Sequence, residues 1–195
     1  MKKILKFSLV LAIALTAINA HATGVDFLLK VKNEQGKKIT FAINEGSKVT
    51  LTIYDANDKL INTEELNSKG LISRTYDLNA LPEGTYFLET ESELKVAKYE
   101  ISVVGKIASL SETPISIVYK PIFVTKNGLV SVSILNIDKA PVEIKIYDAD
   151  SNEVYKSAVL TDQKVSKYFN FNETELKNYT FVMSYDDKTF TKNFK

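Results

Sequence analysis

The 195-residue chain is 45% apolar and 25% charged and has no cysteine, which describes a globular chain rather than a disordered or collagen-like one. It is long enough for one large domain or two small ones. Its 25 basic and 24 acidic residues nearly cancel, and the only arginine is Arg74. The near-zero net charge gives no overall electrostatic attraction to nucleic acid, and a single arginine removes the usual means of bidentate phosphate recognition. Nucleic-acid binding is therefore not expected.

The first segment has the pattern of a secretory signal peptide. A lysine-rich start precedes an apolar run over residues 7–18, which is too short to cross a bilayer. Ala20 and Ala22 supply the small side chains required before a cut, so we predict a signal peptide over residues 1–22; cleavage after Ala20 is the alternative. The predicted location is the periplasm, the cell surface or the medium, with no transmembrane anchor in the mature chain.

Cleavage after Ala22 also removes His21, the only histidine, and the chain has no cysteine or tryptophan. Zinc, iron–sulfur, haem and copper sites then lack their usual ligands, and a serine or cysteine nucleophile lacks its usual base. We therefore predict no cofactor, no metal site, no catalytic residue and no enzymatic activity. A hydrolase that uses carboxylates alone is the remaining catalytic alternative.

An internal repeat organises the rest of the chain. Residues 49–56 (VTLTIYDA) recur as residues 142–149 (VEIKIYDA), an offset of 93 positions. The same ungapped offset aligns further pairs, namely Val25 with Val118, Tyr76 with Phe169, Asn79 with Asn172, and Tyr86 with Tyr179. This pattern predicts two homologous domains over residues 24–104 and 113–195, joined by a short connector over residues 105–112.

Each repeat has a hydrophobic period of two, which predicts an all-β fold. In the first repeat the expected strands are 27–32, 39–43, 48–54, 60–66, 73–78, 85–90 and 96–103. In the second they are 121–125, 130–135, 141–147, 153–159, 166–171, 179–185 and 188–194. Seven short strands in about ninety residues are typical of immunoglobulin-like or fibronectin-III-like β-sandwiches. The fold class is therefore two tandem seven-stranded sandwiches.

Two tyrosines have the sequence context of a tyrosine corner, in which the hydroxyl bonds to backbone just upstream. Tyr86 follows Leu81-Pro-Glu-Gly-Thr, and Tyr179 stands at the equivalent position of the second repeat. Both are predicted to be structural residues.

Three aromatic residues, Tyr54, Phe87 and Tyr147, have the outward phase on their strands. They are the candidate binding residues, because exposed aromatic side chains on a flat sheet are suited to anchoring a protein partner of the cell envelope. The alternative is that they are covered by the sister domain or by a loop, and the sequence leaves both open.

Acidic clusters allow two other hypotheses. Asp148, Asp150 and Asn152 begin like a calcium loop, but Glu153 stands where glycine is needed, so a hairpin with self-bonded aspartates is favoured over calcium binding. Glu89, Glu91 and Glu93 share one strand face, for which a solvated or edge-protecting role is favoured over a carboxylate site.

The segment Ile53-Tyr-Asp-Ala-Asn-Asp-Lys-Leu-Ile61, followed by Leu81-Pro-Glu-Gly-Thr-Tyr86, resembles secreted Ig-like β-sandwich domains of Bacteroidota. These include type IX secretion C-terminal sorting domains and the Ig-like domains of hook-capping proteins. Two departures stand out: the hairpin glycine of that pattern is replaced by Asp58 and Ser151, and the Pro-x-Gly-x-Tyr motif is lost from the second repeat.

The resemblance and the composition together predict an exported, non-enzymatic binding, spacer or assembly module. The alternative is a type IX secretion cargo whose C-terminal repeat acts as the sorting signal.

Overall fold

The computed structural model describes residues 29–45, 48–67, 70–171 and 179–194. All regular structure within these ranges is β-strand, which confirms the all-β prediction. The predicted signal peptide and residues 172–178 lie outside the described residues. Across the described ranges, no helix has the length and apolar character needed to cross a membrane.

Within the described residues, the first sandwich has eight strands. A three-stranded sheet has the order β1-β2-β5 and a five-stranded path has the order β4-β3-β6-β7-β8. The bounds are β1 Leu29–Gln35, β2 Lys38–Glu45, β3 Lys48–Asp55, β4 Leu60–Asn67, β5 Gly70–Asp77, β6 Gly84–Glu91, β7 Lys95–Val104 and β8 Ile107–Leu110.

The second sandwich places the three-stranded sheet β10-β11-β14 opposite the four-stranded sheet β13-β12-β15-β16. This three-plus-four arrangement is that of fibronectin-III-like domains. A further strand, β9 Ser116–Tyr119, pairs with β7. The other bounds are β10 Ile122–Lys126, β11 Leu129–Leu135, β12 Glu143–Tyr147, β13 Glu153–Lys156, β14 Lys164–Asn170, β15 Tyr179–Tyr185 and β16 Lys188–Phe194.

Each sandwich has its own hydrophobic core, built from alternate residues of both sheets. In the repeated segment the buried residues alternate along the strand, as a hydrophobic period of two requires. They are Val49, Leu51 and Ile53 in the first copy and Val142, Ile144 and Ile146 in the second. The second core is rich in aromatic rings around Phe181, whereas the first is mainly aliphatic.

The 93-residue offset relates the seven strands of the second sandwich to seven strands of the first. Thus β3 corresponds to β12, β6 to β15, and β7 to β16. The predicted corner of the first copy is also present, since the Tyr86 hydroxyl donates to the Pro82 carbonyl at 2.9 Å.

Residues 105–112 differ from the predicted connector. Residues 107–110 form β8, which pairs with the end of β7 and buries Ala108 and Leu110 in the first core. The sequence suggested a polar connector because Ser109, Ser111 and Glu112 interrupt the apolar residues. Several strands also differ from their predicted bounds; for example, β5 begins at Gly70 rather than at Ser73, and β13 ends at Lys156 rather than at Val159.

The Asp148 hairpin and the equivalent Asp55 hairpin of the first repeat are closed by their own aspartates. The Asp55 carboxylate accepts hydrogen bonds from the amides of Asn57 and Lys59, and Asp148 accepts them from the amides of Asp150 and Asn152, at 2.8–3.0 Å. These contacts match the hairpin interpretation of the acidic loops. They also hold the pKa of Asp148 below its usual range, with the Asn152 side chain as the largest cause.

Ser151→Gly should stabilise the second sandwich. Ser151 has a φ of 64°, the left-handed conformation that glycine adopts without steric cost, and the equivalent Asp58 has a φ of 58°. We expect a gain of about 0.5–1 kcal/mol in the free energy of unfolding, measured by urea denaturation. Ala149→Gly in the same turn is the control; it should destabilise, and a loss on Ser151→Gly would contradict the strain argument.

Candidate binding surface

Two of the three predicted binding residues are brought together. Tyr54 on β3 lies directly opposite Phe87 on β6, and both side chains are half-buried. The Lys98 ammonium from β7 lies 4.1 Å from the centroid of the Phe87 ring, a cation–π contact, and 3.8 Å from the Asp58 carboxylate. This side of the first sandwich therefore presents an aromatic pair partly covered by a lysine.

Tyr54 also lines a groove between the two sandwiches, which we call the inter-sandwich groove. It encloses about 380 Å³ and has walls from both sandwiches. The first sandwich contributes Tyr54, Asp58, Glu89, Val96 and Lys98; β9 contributes Ser116 and Val118; and the second sandwich contributes Asp186, Asp187 and Lys188. Tyr54 therefore lies beside the sister sandwich and is half-buried.

Polar contacts hold the sandwiches together beside this groove. The Lys188 ammonium bonds to the Glu89 carboxylate, and the Tyr185 hydroxyl donates to the Tyr119 carbonyl. Lys120 pairs with Glu91 at 2.7 Å. The expectation of a solvated glutamate face was therefore wrong for Glu89, whose side chain is only 13% exposed against the second sandwich, whereas Glu91 pairs with Lys120 and stays exposed.

Tyr147 has the equivalent position in the second sandwich but a different environment. It lies opposite Thr180, which stands where Phe87 stands in the first copy. The aromatic pair is thus not repeated, and Tyr147 is not among the residues that line the inter-sandwich groove. Any shared surface is limited to Tyr54 and Phe87.

The Asp186-Asp187 turn between β15 and β16 forms one rim of the groove. Both residues have positive φ, 48° and 55°, as in the two-residue hairpin turns that prefer Asn-Gly. The pKa of Asp186 is raised above its usual value by burial and then by the nearby charges of Asp138 and Asp187. Ionisation of the Asp186 carboxyl group is therefore less favourable in the folded protein than in the unfolded chain.

Asp186→Asn should stabilise the protein at neutral pH. Because the folded pKa is raised, the wild type carries a penalty above that pKa, which disappears as the pH falls below the unfolded value of 3.8. The gain from the variant should therefore shrink to nothing in acid, as followed by urea denaturation between pH 7 and pH 3.

Asp148→Asn provides a control of opposite sign. The pKa of Asp148 is lowered, so its carboxylate stabilises the fold above the unfolded pKa, and the variant should lose stability at neutral pH but not in acid. Equal pH profiles for the two variants would contradict the assignment.

Within the described ranges, no group of three or more histidine, cysteine, aspartate or glutamate side chains is arranged to hold a metal ion. In the inter-sandwich groove, Glu89 is ion-paired with Lys188 and Asp58 with Lys98. The geometry is that of a mixed-charge seam between two domains. The groove lies at the junction of two consecutive β-sandwiches, and its lining includes Tyr54 and two lysines, Lys98 and Lys188.

The comparisons with known proteins agree with the resemblance of the first repeat. Residues 36–104 match the family described as the secretion system C-terminal sorting domain. The matched range covers β2 to β7, which make up most of the first sandwich. The match thus falls on the first repeat and not on the C-terminal one. No curated protein matches the sequence.

Similar solved structures include the BSP domain of a biofilm associated protein, with 18% identity over 83% of this chain and a TM-score of 0.27. The chain spans 28% of that structure. The Escherichia coli alpha-2-macroglobulin domains MG0-NIE-MG1 share 9% identity over 87% of this chain and 60% of that chain, with a TM-score of 0.31. The FN1–FN3 domains of chicken CNTN1 share 11% identity over 87% of this chain and 65% of that chain, with a TM-score of 0.28. At these TM-scores the similarities carry no argument about function.

The sequence did not single out the second-sandwich half of the groove. Asp186, Asp187 and Lys188 lie 132 residues or more from Tyr54 in the chain, and only the junction of the sandwiches brings them together. The available sequence signal for this half of the groove was the pair of aspartates followed by a lysine. Aspartates are less suited to this tight turn than Asn-Gly, and an unfavourable turn sequence can mark a constrained site.

Proposed function

We propose that the chain is an exported, non-enzymatic two-sandwich module whose first sandwich acts as the sorting unit. The single observation that carries this proposal is the match of residues 36–104 to a secretion sorting domain. The predicted signal peptide over residues 1–22 supplies the first export step, and the sorting unit directs the protein to the cell surface or the extracellular space.

Two structural features support this assignment of roles. The first sandwich has a complete core, with β8 covering one end of the β7 edge, and it retains the Tyr86 corner of the motif. The second sandwich has lost the Pro-x-Gly-x-Tyr sequence. The first copy is therefore the better candidate for recognition by a secretion machine.

A reporter experiment tests which sandwich directs export. A periplasm-targeted fluorescent reporter is fused to residues 23–112 or to residues 113–195 and expressed in a Bacteroidota host with type IX secretion. The fusion with the first sandwich should reach the cell surface or the medium, and the fusion with the second should stay in the periplasm. The reverse distribution would assign sorting to the C-terminal repeat, and retention of both would reject the sorting role.

The aromatic pair supports a second role, capture of a protein partner of the cell envelope. Tyr54 and Phe87 are half-buried neighbours, and one of them borders a groove of about 380 Å³. Buried-edge aromatic residues of this kind are frequent energetic centres of interfaces. Tyr147, the third candidate, is proposed only as a separate contact on the second sandwich.

The double variant Tyr54→Ala, Phe87→Ala tests this role in pull-downs from the native envelope. We expect the fold to be retained, by circular dichroism, and partner recovery to fall. Tyr168→Ala is the matched control, because Tyr168 is 71% exposed on the other sandwich and outside the groove. Unchanged recovery with the double variant would reject the surface.

A further inference from the structure

In the first sandwich, the exposed edge of strand β7 is completed by another strand of the same chain, β9. β9 adds to β7 in antiparallel register, with Lys98 opposite Ser116, Ala97 opposite Ile117, Val96 opposite Val118, and Lys95 opposite Tyr119. The Lys120 amide donates to the Leu94 carbonyl and the Ile115 amide to the Lys98 carbonyl, both at 2.8 Å. The strand that leads into the second sandwich thus completes the sheet of the first.

The equivalent edge of the second sandwich is β16. This strand is the last one in its sheet, and no described strand pairs with its outer side. Tyr185 and Lys188 flank a two-residue turn and form its closing pair, so the backbone groups of Thr189, Thr191 and Asn193 point away from β15. They offer hydrogen bonds to an added strand.

A groove accompanies this edge, which we call the edge groove. It encloses about 420 Å³. Apolar side chains of the second core border it, namely Phe123, Met183 and Phe190, and a polar rim includes Glu91, Glu93, Lys120 and Lys192. An added strand would therefore find both backbone partners and apolar surface, the combination used in β-strand addition.

The repeat identifies a segment of the chain whose sequence matches this edge. The 93-residue offset that maps β7 to β16 maps β9 to residues 23–26, Thr-Gly-Val-Asp, with Val25 in the place of Val118. These residues lie outside the described ranges. They follow directly after the predicted signal peptide.

We propose that residues 23–26 of a second copy add to the free edge of β16, so that copies associate head to tail. The register of β9 on β7 then places Thr23 opposite Thr191, Gly24 opposite Phe190, Val25 opposite Thr189, and Asp26 opposite Lys188. This inference goes beyond the proposed function, since it concerns self-association and not export.

The resulting cross-strand pairs are complementary. Threonine pairs are favourable directly across an antiparallel ladder, an aromatic ring covers an opposing glycine, and Asp26 adds a second carboxylate beside Lys188, which already pairs with Glu89. At the core-facing position a small residue is paired with a large one in both cases, but on opposite strands. In the first sandwich the edge residue Ala97 is small and Ile117 of the added strand is large, whereas in the proposed contact the edge residue Phe190 is large and the added Gly24 is small. Because donor and acceptor edges differ, the contact is heterologous and produces open chains of molecules.

Disulfide cross-linking tests the register, because the chain has no native cysteine. Residues 23–195 carrying Val25→Cys and Thr189→Cys are oxidised and separated on a non-reducing gel. A ladder of dimers and higher species is expected, and Val25→Cys with Thr75→Cys, placed on β5 of the first sandwich, should give none. The absence of a ladder, an equal ladder in the control, or a cross-link within single molecules would overturn the proposal.

A second variant tests the edge without cysteine. Thr191→Pro removes an outward amide donor from the edge strand, a position at which proline is compatible with sheets. In sedimentation velocity the wild-type residues 23–195 should associate with rising concentration, and Thr191→Pro should stay monomeric with an unchanged circular dichroism spectrum. A wild type that is monomeric throughout would overturn self-association, whatever the outcome of the reporter experiment.

Discussion

Replacing Phe181 by alanine should remove most of the stability of the second sandwich while the first stays folded. The Phe181 side chain is fully buried, and its ring centroid lies 5.4–6.1 Å from those of Phe123, Phe169, Phe171 and Phe194. The substitution removes the centre of this cluster and leaves a cavity. We expect a loss of about 3–5 kcal/mol, a large share of the stability of a small domain.

Urea unfolding followed by tyrosine fluorescence and circular dichroism would measure this loss. The variant should show two separate transitions, with the second sandwich unfolding first. Tyr168→Ala is the control, because that exposed aromatic residue should change stability by less than about 0.5 kcal/mol. A single unshifted transition for Phe181→Ala would contradict the assignment of a separate aromatic core.

Val118→Asp should disconnect the two sandwiches. Val118 is only 6% exposed and packs in the second core, although its strand β9 pairs with β7 of the first sandwich. A carboxylate at this position would be buried without a partner, at a cost of about 3 kcal/mol or more. The second sandwich should lose stability, and β9 should become sensitive to protease.

Ile115→Asp is the matched control for this variant. Ile115 lies three residues earlier in the same segment and is 52% exposed, and its amide bond to Lys98 does not depend on the side chain. We expect an effect below about 0.5 kcal/mol and no new cleavage. Equal effects of the two substitutions would show that burial of Val118 is not what couples the sandwiches.

The strand pattern and the core positions could be predicted from the sequence because alternation and repetition are local signals. Val49, Leu51 and Ile53 alternate with polar neighbours, and their counterparts at Val142, Ile144 and Ile146 repeat that phase. The Tyr86 corner was predictable for the same reason, since its motif lies within six consecutive residues.

The short strands β8 and β9 could not be predicted in the same way. Each has only four residues, and each pairs with the edge of β7. The available sequence signal for β8 was Gly105. In the structure this glycine has a φ of 57° and stands in the two-residue turn that precedes β8. The inter-sandwich groove depends in turn on β9, so its lysines and aspartates were not identifiable from spacing.

The most direct test of export, the central claim, is the N-terminus and location of the natural protein. Cells are fractionated into cytoplasm, periplasm, outer membrane and medium, and the protein is analysed by mass spectrometry. We expect a chain that begins at Thr23 and is found at the cell surface or in the medium. A chain that keeps Met1 and stays in the cytoplasm would contradict it.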